Sequence, residues 1–248
     1  MFIDIHCHLE MCENLAAVME RARAAGVRVI VAQGVKPETN RRVLGFAKQY
    51  KEVKAALGLY PIDALYLDDD ALDREFDFIR EHRKEVAAIG EVGLDFKEDE
   101  QQHDRQKYLF RKILALARKV DKPLIIHSRK AEEEVVTLLE EAKMTQVILH
   151  CFSGKLRLVE RAYNHGWYLT VPTNVVFSEH FQHLARAVPL THLFCETDAP
   201  YLHPDKGWPN EPANVVRAYE TLAKLKGVPL DDVRMMITKN YEKVFGLR

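Results

Sequence analysis

The chain has 248 residues, of which 47% are hydrophobic and 29% are charged, and its formal net charge is −1. The length allows one large α/β domain or two small ones, and the near-neutral charge excludes a basic surface over the whole protein, though not a local phosphate site. No apolar segment approaches the roughly 20 residues that span a bilayer, and the chain opens with a strand pattern, not with a signal peptide. We therefore expect a cytoplasmic protein with no membrane association.

Hydrophobic segments of strand length alternate with amphipathic segments of helix length along the chain. No linker or low-complexity segment divides them, so we expect one domain over residues 1–248. Strands are predicted near residues 2–9, 27–32, 53–60, 86–91, 123–127, 146–150, 167–171 and 192–198. Helices are predicted near residues 14–25, 37–50, 72–82, 104–119, 131–142, 156–164 and 180–187, followed after residue 211 by two closing helices that are split near residues 227–229.

About eight strand–helix units in ~250 residues is the expected size of a (β/α)8 TIM-type barrel. An open, doubly wound sheet is the structural alternative. It is less favoured because neither a GxGxxG nor a GxxxxGK[ST] loop follows an early strand. We therefore predict a single α/β domain, a (β/α)8 barrel in which the carboxyl ends of all strands meet at one mouth.

Residues that can bind metal ions stand at the ends of five predicted strands. His6 and His8 lie on one face of the first strand because side chains alternate along a strand. Alone, such a pair is more often two polar residues than a metal site, but the same kind of residue recurs at later strand ends. Four imidazoles and two carboxylates suffice for two divalent ions that share a bridging carboxylate, and zinc, manganese and magnesium are not distinguished. The later candidates are Glu91, His127, His150 and Asp198.

The same alternation places Asp4 and Glu196 one layer below these candidates. There they could orient the histidines or tune the metal, or they could be buried structural acids. Cys7, Cys151 and Cys195 adjoin ligand candidates or these acids, so alternation turns them away from the mouth and we expect small core residues. The four cysteines form no CxxC pair, which argues against a zinc module and a disulfide framework.

Six ordered motifs cover nearly the whole chain and together resemble one family. The chain resembles the TatD-type metal-dependent deoxyribonucleases, a branch of the amidohydrolase-like metallohydrolase barrels. The matching motifs are DIHCHL (4–9), GEVGLDF (90–96), IHSRKA (126–131), HCFSG (150–154), ETDAPYL (196–202) and NEPANV (210–215).

The resemblance implies one to three divalent ions, usually two, in a TIM-type barrel. Related binuclear amidohydrolases commonly bridge their ions with a modified lysine. Glu91 stands in that role here, which argues against a hydantoinase-like enzyme. The ligands implied for the two ions are His6, His8 and Asp198 at the first and His127 and His150 at the second, with Glu91 between them.

The resemblance also implies a mechanism in which a metal-activated water attacks phosphorus in line. Asp198 is the candidate that orients this water and takes its proton, and together with Glu91 it forms the implied catalytic pair. Arg129, Lys130 and Lys155 lie just beyond ligand motifs and could contact phosphate, although solvated loop positions are equally compatible with their sequence.

Three departures from the family pattern surround this ligand set. Tyr60 occupies the place of a histidine expected near the scissile group, so it is also a candidate phosphate contact. Pro209 stands where an arginine commonly precedes the NEP sequence, and residues 171–173 replace a glycine-containing turn. Metal-dependent hydrolysis is therefore better supported than deoxyribonuclease activity itself.

We expect an exonucleolytic phosphodiesterase that acts on DNA ends, and RNA is a further candidate substrate. A second hypothesis is hydrolysis of a small phosphoester or of another ester or amide, such as a modified aminoacyl-tRNA or a cyclic amide. A third is a non-catalytic metal-binding interaction protein. Asp198 argues against this third hypothesis, because a purely structural metal site would not need it.

Overall fold

Eight parallel strands form the centre of the molecule. A computed structural model describes residues 1–246, so the last two residues of the predicted domain lie outside the described part. The strands follow one another in sequence order around a single sheet, and each pairs in parallel with the next. They are β1 (Phe2–Cys7), β2 (Val27–Gln33), β3 (Val53–Leu57), β4 (Val86–Asp95), β5 (Leu124–Arg129), β6 (Val147–Leu149), β7 (Tyr168–Pro172) and β8 (Leu193–Glu196).

Helices alternate with these strands, as the sequence pattern predicted. One short helix, Pro61–Leu65, was not predicted, because five residues are too few to show a helical periodicity. No helix among residues 1–246 is long and apolar enough to cross a membrane. The helices are α1 (Leu15–Ala24), α2 (Pro37–Gln49), α3 (Pro61–Leu65), α4 (Asp69–Glu81), α5 (His103–Val120), α6 (Glu132–Glu141), α7 (Leu156–Asn164), α8 (Glu179–Ala187), α9 (Val215–Lys226) and α10 (Leu230–Phe245).

The first and last strands meet and bring the sheet round into a nearly closed barrel. The backbone N–H of His8 donates to the carbonyl of Ala199 at 2.8 Å, and the N–H of Asp198 donates to the carbonyl of His6 at 3.0 Å. The prediction of a (β/α)8 barrel is confirmed, and the open doubly wound alternative is wrong.

The strands are buried on both faces, as expected for parallel strands covered by helices. Every residue of β1 is buried, and Ile3 and Ile5 are wholly inaccessible to solvent. Trp167, also fully buried, donates its indole N–H to the carbonyl of Met144 at 2.8 Å. Each such large apolar side chain contributes about 1.5–3 kcal/mol by leaving water.

The strand ends at the mouth differ from the predicted ends. His8, His150 and Asp198 lie one or two residues beyond their strands, in the loops that follow. By contrast, β4 does not end at Glu91 but continues to Asp95. The predicted ligands are therefore held partly by strands and partly by the first residues of the loops.

Candidate metal centre

The six predicted ligands meet at the carboxyl ends of the strands. Five of them line a cavity of about 570 Å³, which opens at the mouth of the barrel, and His6 is wholly buried. Nitrogen and carboxylate oxygen atoms within this set fall into two groups, each compact enough to hold an ion. The residues brought together are His6, His8, Glu91, His127, His150 and Asp198.

The first group is centred on the two histidines of the N-terminal motif. The Nε2 atoms of His6 and His8 lie 3.3 Å apart, and Oδ1 of Asp198 lies 3.5 Å from each. The centre of a triangle with such sides is about 2.0 Å from each corner, which is the length of a bond from zinc to a histidine nitrogen. Oε2 of Glu91 approaches the same two nitrogens at 3.4 and 3.3 Å. The residues present therefore fit a divalent ion.

The second group contains the other oxygen of the same carboxylate. Oε1 of Glu91 lies 2.9 Å from Nδ1 of His127 and 3.4 Å from Nε2 of His150. The rings of His6 and His150 are stacked, with centroids 3.7 Å apart, so the two groups lie side by side. Glu91 thus faces both groups, one oxygen to each, which is the geometry of a bridging carboxylate.

The electrostatics of the site keep Glu91 and Asp198 ionised. Burial by itself would raise the pKa of Glu91, but hydrogen bonds from His127, His150 and His6 outweigh burial and hold that pKa well below its usual value. Asp198 shows the same balance, since the neighbouring imidazoles lower its pKa more than burial raises it. Both carboxylates are therefore charged at neutral pH and available to a cation.

Glu196 orients one of the ligand histidines from below. Its Oε2 lies 3.3 Å from Nδ1 of His150, which leaves Nε2 of that ring directed toward Glu91. Its Oε1 accepts hydrogen bonds from the hydroxyl of Thr170 at 2.7 Å and from the backbone N–H of Cys151 at 3.0 Å. A carboxylate in this position fixes the tautomer and the direction of a metal-binding imidazole.

Asp95 has the corresponding position beside His127, and sequence reasoning missed it. Its Oδ2 lies 3.0 Å from Nε2 of His127 and accepts a hydrogen bond from the Tyr60 hydroxyl at 2.7 Å. Burial would raise the pKa of Asp95, but these two partners lower it overall. Asp95 follows Glu91 by four residues and so shares its strand face. This signal was not available while the strand was expected to end at Glu91.

Glu10 is a third buried acid next to a ligand and was also missed. Its Oε1 lies 3.4 Å from Nδ1 of His8. Glu10 belongs to a 3-10 helix of one turn, Leu9–Met11, where neither strand nor α-helix periodicity applies. The sequence pattern therefore contained no signal for its position.

Asp4 connects the first strand of the barrel to the segment that follows the last strand. Its carboxylate accepts hydrogen bonds from the backbone N–H of Thr197 at 2.8 Å and from the hydroxyl of Thr197 at 2.6 Å. Burial raises its pKa well above the usual value. Asp4 thus fixes the segment between Glu196 and Asp198 against β1, and it positions ligands through the backbone instead of through a histidine ring.

The four predicted phosphate contacts divide between two cavities. Tyr60 and Arg129 line the central cavity, and the Tyr60 hydroxyl lies 3.5 Å from Nε2 of His127. Burial, followed by the Asp95 carboxylate, raises the pKa of Tyr60, so its hydroxyl keeps its proton. Lys130 and Lys155 line a neighbouring cavity of about 580 Å³, which Arg129 also borders. Their contact with phosphate stays a prediction.

Three cysteines were predicted to be core residues, and two of them are. All four cysteines in the chain are free thiols, and Cys7 and Cys195 are buried in the core, as predicted. The prediction that Cys151 is a core residue is wrong, because Cys151 is only half-buried and borders the central cavity. Its φ of +44° breaks the strand alternation on which that prediction depended.

Comparison with known proteins identifies the family. The family model described as TatD related DNase matches residues 3–246. An uncharacterized metal-dependent hydrolase of Methanocaldococcus jannaschii is 34% identical over 100% of this chain and 98% of its own length. The deoxyribonuclease TATDN3 of Homo sapiens is 31% identical over 98% of this chain and 94% of its own.

A solved structure agrees with these sequence matches. The crystal structure of YjjV, a TatD homologue of Escherichia coli, superposes with a TM-score of 0.93 at 31% identity and covers 100% of this chain and 98% of that one. The resemblance seen in the motifs is confirmed at the level of sequence and of fold. The chain belongs to the TatD family of metal-dependent hydrolases.

Proposed function

We propose that this protein is a divalent-metal-dependent phosphodiesterase that shortens DNA from its ends. The observation that supports this proposal most directly is the position of Glu91, whose two oxygens face two separate groups of ligands. Two adjacent ions are a common device for phosphodiester cleavage, because they neutralise charge on both sides of the phosphorus. The name of the human relative, a deoxyribonuclease, favours DNA as the substrate.

The proposed ligand sets follow the two groups of atoms. His6, His8 and Asp198 would hold one ion and His127 and His150 the other, with Glu91 between them, and we propose two ions per chain. Zinc, manganese and magnesium are the candidate metals. When bound, such ions acidify water and neutralise the charge of phosphate oxygens.

The protein side chains would supply the proton transfer and the orientation. Asp198 is ionised and its side chain is 14% exposed at the cavity, so it can orient the attacking water and accept its proton. Arg129, whose side chain is half exposed beside Asp95, provides a positive charge for a non-bridging phosphate oxygen. Tyr60 offers a protonated hydroxyl close to His127.

The shape of the site favours cleavage at the end of a nucleic-acid strand over cleavage at an internal position. The ligands lie at the bottom of the cavity, where His6 is wholly buried and Glu91 is 3% exposed. A cavity of about 570 Å³ is in the range of small-ligand pockets and suits one or two nucleotides better than a continuous double helix. We therefore propose an exonucleolytic mode on single-stranded ends.

The test is hydrolysis of labelled oligonucleotides by metal-loaded protein. We expect a ladder of progressively shortened strands. Asp198→Asn should lower the rate by about 10²–10⁴-fold, because the proton acceptor is lost. Glu242→Gln, an exposed position on α10, is the matched control and should leave the rate unchanged. Strands that stay intact while carboxylic esters or cyclic amides are hydrolysed would contradict the proposal and favour a different ester or amide substrate.

A further inference from the structure

Exposed aromatic side chains adjoin the ligand cluster on one side of the mouth. Tyr201 is 43% exposed and Trp208 is 67% exposed, and their ring centroids lie 5.6 Å apart. Tyr201 also packs edge-to-face on the ligand His8, with centroids 6.3 Å apart. A continuous aromatic surface therefore extends outward from a metal ligand. Exposed apolar surface next to a polar site is typical of ligand contact.

The backbone beneath this surface is held by buried hydrogen bonds. Asn210 is 1% exposed, and its Nδ2 lies within hydrogen-bond distance of Oγ1 of Thr173 and of the carbonyls of Thr197 and Tyr201, at 2.7–2.9 Å. The hydroxyl of Thr173 donates to the carbonyl of Leu202 at 2.7 Å. These bonds join the loop after β8 to the loop after β7, so Tyr201 is presented by a fixed backbone.

A lysine lies in the same loop as Tyr201 and Trp208. The ammonium group of Lys206 lies 5.0 Å from the ring centroid of Phe177, which is itself 42% exposed. The loop after β8 thus presents two aromatic rings and a lysine, and Arg129 lies on the cavity wall. Aromatic rings interleaved with cations are typical of surfaces that bind single-stranded nucleic acid, because bases stack on the rings while cations follow the backbone.

We propose that Tyr201 and Trp208 form a base-stacking platform, which holds an unpaired nucleobase of the strand end while an adjacent phosphate reaches the ligand cluster. This inference rests on the proposed function. The rings are tilted by 57° to each other, so a base would stack on the open face of Trp208 and not between the two rings. Such stacking requires a base released from a duplex but tolerates every base type. The platform would therefore select single strands without selecting sequence.

Fluorescence gives a test of this platform that does not depend on hydrolysis. The chain has two tryptophans, of which Trp167 is fully buried and Trp208 is exposed. We expect a nuclease-resistant phosphorothioate oligothymidine to quench the emission of Trp208 in metal-loaded protein. An abasic strand of equal length should bind without quenching. Equal quenching by both strands, or binding of oligothymidine without any quenching, would overturn the inference.

Hydrolysis supplies the second measurement. The wild-type protein should have a kcat/KM roughly 5- to 150-fold higher on a base-containing strand than on an abasic strand, the range expected for stacking of one base. This ratio should approach one in Trp208→Ala and be largely retained in Trp208→Phe. Tyr108→Ala, at an exposed aromatic residue of α5, is the matched control and should keep the wild-type ratio.

Two results would contradict the inference in different ways. An unchanged ratio in Trp208→Ala, in a protein that still shortens DNA, would overturn the platform and leave the proposed function standing. Wild-type protein that neither binds nor shortens nucleic acid would overturn both.

Discussion

His127 shows how a candidate ligand residue is held in place by its neighbours. Its Nδ1 faces Glu91 at 2.9 Å, while its Nε2 faces Asp95 at 3.0 Å. Burial would lower the pKa of this imidazole, but the two carboxylates raise it overall. The ring is therefore fixed from both sides before any ion arrives. Since Asp95 belongs to neither group of candidate ligands and contacts the ring nitrogen of His127 that faces away from Glu91, we regard it as a positioning residue.

Replacing Asp95 should weaken the metal site without removing a ligand. We expect Asp95→Asn to lower metal affinity by about 10–100-fold, because a neutral amide holds Nε2–H of His127 less strongly than a carboxylate does. Calorimetric titration of metal-free protein with zinc or manganese would measure the change. Glu100→Gln, at an exposed position in the following loop, is the control. Equal affinities of Asp95→Asn and the wild type would show that Asp95 has no such role.

At the scale of elements, one close approach between two strands places His127 beside Glu91. Gly93 of β4 pairs with His127 of β5, and its φ is +148°. A Cβ atom at Gly93 would lie 1.9 Å from the carbonyl oxygen of His127. Both the conformation and the space exclude a side chain there. The register of the two ligand-bearing strands therefore depends on this glycine.

Two glycine substitutions with opposite effects would test this dependence. Gly93→Ala should lower the free energy of unfolding by roughly 3 kcal/mol or more, because it combines backbone strain with a steric overlap. Gly45→Ala, in the interior of α2 with open space around it, should raise that free energy by about 0.5–1 kcal/mol. Urea denaturation of both variants would measure these changes. A Gly93→Ala protein as stable as Gly45→Ala would contradict the close approach.

The elements and the candidate ligands could be predicted from the sequence for a common physical reason. Parallel strands are short and apolar, so an imidazole or carboxylate at the end of one stands out, as His127 does after Ile125 and Ile126. Alternation also placed Glu196 correctly below the ligands, where it contacts His150. The periodic burial of side chains and the residue type at a strand end are both visible within a few consecutive residues of the sequence.

Other features depend on geometry that no local pattern contains. Asp95 was missed because the strand continues four residues beyond Glu91, and Cys151 was misplaced because its backbone adopts a positive φ. The pairing of Tyr201 with Trp208 depends on loops that Asn210 joins through hydrogen bonds. These contacts arise only when separate elements come together in the folded chain.

At the scale of the whole molecule, the candidate site is a cluster of acidic side chains in the interior. Glu10, Glu91, Asp95 and Glu196 are all buried, and the nearest guanidinium among the described residues, that of Arg129, is 4.0 Å from Asp95. In the absence of a metal ion, the imidazoles and this guanidinium are the partners that offset the repulsion among these acids. A bound ion would relieve this repulsion, so metal binding and folding should be coupled.

Metal removal should therefore lower thermal stability. At a free metal concentration 100-fold above Kd, binding adds about 2.7 kcal/mol to the native state. For a chain of this size, this corresponds to a rise in Tm of roughly 5–10 °C. Differential scanning calorimetry with and without a chelator would measure it, and Asp95→Asn should show a smaller difference at the same metal concentration. A Tm that does not respond to the chelator would contradict this coupling.

The pairing of β1 with the segment after β8 also has a consequence for synthesis of the chain on the ribosome. His6 and Asp198 contribute to one ligand group, yet 192 positions separate them along the chain. At about 5–20 residues per second, a ribosome needs roughly 10–40 s to pass from one to the other. Throughout that interval the nascent polypeptide has histidines but lacks the aspartate beside them. Incomplete translation products would consequently lack one complete group of candidate ligands, and the candidate metal centre would form only in chains synthesised past the eighth strand.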